Sequence, residues 1–172
     1  MKKLFFSALM LMGMSLAVNA EIKISRQYIP IDLEVQVKRC VVSGDQGYID
    51  LVFINRTGKH IKYATLRGVD IRVGFERNKT VAYDDEGNIY EYFPDGSGNC
   101  KMYKIIWGAD DPAPYETDLP EEVPIKMRIF IKDVSEFATE FTMLNLAFNG
   151  ISSWSGGAGS ITFRNIPITR MD

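Results

Sequence analysis

The chain has one histidine, His60, and two cysteines, Cys40 and Cys100, among 172 residues. A serine or cysteine nucleophile normally needs a histidine base that a third group holds in place. No G-x-S-x-G elbow exists to partner His60, which sits in Thr57-Gly-Lys-His60 and reads as a solvated loop residue. The same scarcity argues against zinc, which takes three or four Cys, His or carboxylate ligands at compatible spacing. Runs of lysine or arginine are also missing, and with them the attraction that dominates nucleic-acid binding and adhesion to anionic membranes. Beyond residue 20 no apolar run is long enough to span a bilayer, so stable membrane insertion is not expected.

What is present begins with the leader. Lys2 and Lys3 are followed by an almost wholly apolar run over 4–18, and Val18-Asn19-Ala20 has the small-residue spacing of a signal-peptidase site. The expectation is a signal peptide over 1–20, cleaved near Ala20, and a single domain over 21–172, periplasmic or secreted. That domain has 172 − 20 = 152 residues, enough for a real hydrophobic core. Subtracting Lys2 and Lys3 leaves 20 − 2 = 18 basic against 22 acidic residues, a net charge near −4. In an oxidising compartment an even pair of cysteines most often bonds, so a Cys40–Cys100 disulfide is expected, with two buried thiols as the alternative. A bridge closing a loop of about 60 residues would contribute roughly 4 kcal/mol.

Patterning with a period of two dominates. Leu33, Val35 and Val37 alternate with Glu34, Gln36 and Lys38; the pattern then slips by one, with Cys40 and Val42 continuing the apolar set. A slip of one residue is what a β-bulge does. Val69, Ile71, Val73 and Phe75 alternate with polar neighbours, as do Ile125, Met127, Ile129 and Ile131, and Ile161 with Phe163 before Pro167 restricts the last strand to an edge or an end. The run 49–54, interrupted only at Asp50, and the run through Leu144, Leu146 and Phe148 are apolar on both faces and suit central strands. Turn signals punctuate these runs at Ser43-Gly44-Asp45, at 55–58, at Asp85-Glu86-Gly87-Asn88 and at 94–98. Asp133 with Glu136 has the form of a capping box and predicts one short helical turn. Eight or nine short strands so spaced predict an all-β fold, an antiparallel β-sandwich of immunoglobulin-like form.

Four segments carry a resemblance. Leu51-Val-Phe-Ile-Asn-Arg-Thr-Gly58, Ala82-Tyr-Asp-Asp-Glu-Gly-Asn-Ile-Tyr90, Val123-Pro-Ile-Lys-Met-Arg-Ile-Phe-Ile131 and Ile161-Thr-Phe-Arg-Asn-Ile-Pro-Ile168 resemble a group of small exported bacterial immunoglobulin-like β-sandwich proteins of unassigned function. In that group an apolar strand ends at Asn before a turn, a hairpin with Gly-Asn follows, and an F-R-N-I-P-I type strand closes the domain. The resemblance implies the fold and export, and carries no activity to any position.

Chemistry is sparse. Asp84, Asp85, Glu86 and Asn88 at the Gly87 turn form an oxygen-rich cluster of the kind that holds calcium, but EF-hand order is missing and Asp-Glu-Gly-Asn is itself a strong hairpin turn. No metal or other cofactor is expected. The acidic pairs Asp84-Asp85, Asp110-Asp111 and Glu121-Glu122 lie in polar loops, whereas a glycosidase acid needs an enclosed site that raises its pKa. Asn55-Arg-Thr57 and Asn78-Lys-Thr80 match the glycosylation sequon, a frequent chance match. The aromatics are the better candidates: Tyr103, Ile105 and Trp107 share a strand face by spacing, and Trp154 lies in a stretch of serine and glycine. Trp107, Tyr115 and Trp154 are the binding candidates, with core packing as the alternative for Trp107. The reading is a non-enzymatic exported binding module, with specificity in the end loops 107–118 and 150–159 and a protein or glycan partner. A carbohydrate-binding module and a protease inhibitor are its two specific forms.

Overall fold

A computed structural model describes residues 21–67, 79–93, 100–108, 116–151 and 158–171. The leader, the alternating stretch 69–75, the turn at 94–98, and Tyr115 and Trp154 lie outside the described residues.

The described residues form two sheets, numbered here in chain order. One runs β13 (Thr169–Arg170), β2 (Leu33–Ser43), β3 (Gln46–Asn55), β9 (Pro124–Ile131), β7 (Met102–Trp107). The other runs β1 (Lys23–Gln27), β11 (Ala158–Arg164), β10 (Glu140–Asn149), β4 (Ile61–Arg67), β8 (Glu116–Leu119). To this second sheet β5 (Val81–Asp84) and β12 (Ile166–Pro167) add by pairing with β10, and β6 (Ile89–Glu91) by pairing with β5. Apart from β13, which lies parallel to β2, the named strands pair antiparallel. The chain is therefore all-β with a sandwich-like pair of sheets. No helix among the described residues is long and apolar enough to cross a membrane.

Alternation explains the core. Leu33 and Val35 on β2, Ile49, Leu51 and Phe53 on β3, and Met127, Ile129 and Ile131 on β9 are buried. They share one cluster with Phe141, Leu144, Leu146 and Phe148 on β10 and Ile161 and Phe163 on β11. Aromatic contacts join the sheets: Phe148 lies 5.9 Å from Phe53 and 5.5 Å from Trp107, centroid to centroid. Each such side chain contributes roughly 1.5–3 kcal/mol by leaving water. The two runs apolar on both faces are central, β3 between β2 and β9, and β10 between β11 and the strands β4 and β5.

The slip after Lys38 is a bulge. Val37 pairs with Leu51 and Arg39 with Asp50, so Lys38 is the extra residue and Cys40 returns to the core. A second bulge, between Met102 and Lys104 on β7, corrects the aromatic face read from spacing. Met102, Ile105 and Trp107 point inward, and Tyr103 is turned out, 44% exposed.

Two further expectations change. The predicted helical turn is a plain turn. Asp133 takes a left-handed φ of 56°, the Ala138 amide donates to the Ser135 carbonyl, and Phe137 is left 69% exposed instead of sharing a buried face with Val134 and Ala138. Cys40 and Cys100 are both buried free thiols, so the expected disulfide is absent. Cys40 lies on β2, between β13 and β3, opposite Ile49, while the Cys100 Sγ donates to the carbonyls of Met102 and Glu91 just ahead of β7. Pro167 stands at a strand end, as expected: β11, between β1 and β10, stops at Arg164, a left-handed Asn165 follows, and Pro167 closes the two-residue β12.

Candidate functional site

The outer face of the five-stranded sheet is where charge and aromatic rings converge. Alternation turns Tyr48, Asp50 and Val52 of β3 outward, and pairing sets Asp50 between Arg39 on β2 and Arg128 on β9. Arg128 reaches Asp50 through two hydrogen bonds, Nε to Oδ1 at 2.6 Å and Nη2 to Oδ2 at 2.8 Å. Arg39 Nε donates to Oδ2 from the other side at 2.8 Å. Bidentate, charge-assisted pairing of this kind fixes a guanidinium far better than a lone surface contact. Burial alone would push the Asp50 carboxyl up, but hydrogen bonds from Arg128 and then Arg39 outweigh it and hold the group below the usual carboxylate range. The Asp50 hydrogen bond in turn raises Arg128 further above its already high value.

The rings beside this cluster hold cations. The Arg128 guanidinium lies 4.2 Å from the Tyr48 centroid and 5.9 Å from that of Phe130; Arg39 lies 5.2 Å from Tyr48. The Lys104 ammonium sits 5.7 Å from Phe130, and Phe130 packs against Tyr103 at 6.1 Å. Each cation–ring contact is worth about 0.5–1 kcal/mol at an exposed site. The bulges make the arrangement possible. One sets Lys38 and Arg39 side by side on the exposed surface of β2, and the other turns Tyr103 and Lys104 out together on β7. A hollow of about 430 Å³ opens here, lined in part by Lys38, Arg39, Asp50, Ile106, Lys126 and Arg128. A second, of about 480 Å³, is lined in part by Val41, Tyr48, Tyr103, Phe130 and Met171. Tyr48 and Phe130, against which the cations lie, belong to the second.

The sequence candidates are placed differently. Trp107, 3% exposed, packs against Phe53 and Phe148 in the core, so its ring offers no platform to a ligand and its core alternative holds. Tyr115 and Trp154 lie outside the described residues. At the hairpin between β5 and β6, Asp84 Oδ1 accepts the amides of Glu86 and Asn88, and Oδ2 accepts the Asn88 side-chain amide and the Tyr90 hydroxyl. Asp85 accepts the Thr139 amide and hydroxyl and the Glu140 amide. Hydrogens point where a cation would sit, so these carboxylates serve the turn. Among the described residues no group of three or more His, Cys, Asp or Glu side chains is placed to hold a metal.

Sequence reasoning missed Tyr48, Asp50, Arg128 and Phe130. A signal existed: Asp50 is the one acid inside an otherwise apolar run, and Arg128 and Lys126 sit on the polar phase of β9. What could not be read was that the two phases meet across a ladder. No protein-family model and no curated protein matches this chain.

Proposed function

We propose that the chain is an exported, non-enzymatic binding module built on an immunoglobulin-like sandwich, and that its ligand is a glycan bound on the outer face of the five-stranded sheet. The observation that carries this reading is Asp50 held between Arg39 and Arg128 beside Tyr48 and Phe130. Planar, rigidly held donors and acceptors flanked by rings suit hydroxyl-rich ligands, whose polar groups must each find a partner when they leave water. Two mostly antiparallel sheets around one core support the immunoglobulin-like form, as does the sequence resemblance. A binding role without catalysis is supported by the state of the acids. Asp50 is kept ionised by two guanidiniums, the opposite of what a general acid needs.

The test is binding of the purified mature protein to a broad panel of immobilised glycans. Retention on at least one glycan, lost in Arg128→Gln and retained in an Asp84-hairpin variant such as Glu86→Gln, supports the reading. No retention across the panel removes it.

A further inference from the structure

Resting on the glycan reading, we infer that the ligand is an acidic polysaccharide, a chain bearing carboxylate or sulfate groups, seated across β2, β3 and β9. The chain as a whole is acidic, with 22 Asp and Glu against 20 Lys and Arg. Yet the hollow beside Asp50 gathers Lys38, Arg39, Lys126 and Arg128 around a single carboxylate. Lys104 adds a fifth cation at the Phe130 ring. Glu34, farther along β2, is paired with Arg56 at 3.0 Å and within this group interacts with Lys38. The excess is local, positive and on one face.

Ring geometry decides between neutral and acidic sugars. A neutral sugar binds an exposed face chiefly by stacking on an open ring. Here Tyr48 and Phe130 have their faces toward Arg128, Arg39 and Lys104, so the rings position cations and leave little open face. Cations fixed in advance lose less freedom on binding, which favours an anionic partner. The spacing follows from the sheet. The cations of β2 and β9 flank β3, two inter-strand steps or about 10 Å apart. A single acidic sugar spans one row; a short oligomer spans both.

Calorimetric titration tests this with polygalacturonate, its fully methyl-esterified form, chondroitin sulfate and duplex DNA, at about 0.02 M and about 0.3 M salt. The expected result is binding to polygalacturonate or chondroitin sulfate that weakens with salt, disappears on esterification, and is far weaker for a monosaccharide than for a tetramer. Lys38→Gln with Lys126→Gln, both at exposed positions, should weaken it roughly tenfold without changing the melting temperature. Equal affinity for the esterified polymer, or no change in the double variant, overturns the acidic assignment while leaving the glycan reading standing. Tighter binding to DNA than to either acidic glycan overturns the glycan class itself. No binding to any glycan, neutral or acidic, overturns both.

Discussion

Asp50 and Arg128 stand directly opposite one another on β3 and β9, and two hydrogen bonds of 2.6 and 2.8 Å close the pair across the ladder. The Asp50 side chain is only 17% exposed, so removing its partner leaves a charge with little water to replace it. Arg128→Gln is expected to cost about 1–3 kcal/mol in urea unfolding, with Arg39→Gln costing less. A double-mutant cycle of Asp50→Asn with Arg128→Gln should return a coupling of about 1 kcal/mol; zero coupling would reduce the pair to a surface contact without energetic meaning.

The same pair sets an acid limit. With the Asp50 pKa lowered in the folded state, its contribution is whole above the unfolded carboxyl range near 3.8 and fades as pH falls through the lower folded value. Asp85, where burial is outweighed by hydrogen bonds from Thr139 and Glu140, acts in the same direction. Asp50→Asn should therefore flatten the loss of stability below pH 4, followed by melting temperature against pH.

Alkali acts on a different group. Burial pushes the Cys40 thiol from 9.0 up to about 12. Its protonated form is favoured by folding, so stability is complete below pH 9 and declines as pH rises toward 12, since the unfolded chain gives up the proton first. Tyr90, raised by burial and then by its hydrogen bond to Asp84, reinforces the decline at the upper end. Cys40→Val is expected to remove about 1.4 kcal/mol per pH unit from the slope across that window. An unchanged slope would assign the alkaline loss elsewhere.

Both thiols are free, so a chromogenic thiol reagent should find none reactive in the folded protein and two after unfolding without reductant. Zero thiols in the unfolded sample would reinstate the bridge. Reductant should leave the melting temperature unchanged.

At the β5–β6 hairpin, Tyr90 donates its hydroxyl to the buried Asp84 carboxylate at 2.7 Å. Tyr90→Phe is expected to cost about 1–2 kcal/mol, and Asp84→Ala more, near 3, because four donors lose one acceptor group. Added calcium should not raise the melting temperature of the wild type.

How legible these features were depends on how local their causes are. Strand phase follows from side-chain alternation, so β2, β3, β9, β10 and β11 could be read directly, including the slip at Lys38. The edge strand β1 has a weak pattern, since Lys23, Ile24 and Ser25 are all exposed and only the β11 ladder holds them. The second bulge, at Tyr103, was hidden because Tyr103, Ile105 and Trp107 keep perfect spacing in the sequence while the Met102–Lys104 irregularity breaks it in space. The putting together of Asp50 with Arg39 and Arg128 depends on register between segments up to 78 residues apart, which no single window contains. At 133–138 the backbone closes a single turn through the Ala138 amide and the Ser135 carbonyl, a choice the Asp133–Glu136 spacing does not reveal.

The extra residue at Lys38 has a consequence for how this surface can change. A ribbon with two sides registers only odd or even, so deleting Lys38 alone would either force the Cys40 end of β2 to show its oily side to water or drag Arg39 away from Asp50. Substitutions at that position are cheap; loss of the position is not. The cluster of positive groups is thus tied to a count of residues, and its chemistry can drift while its length stays fixed.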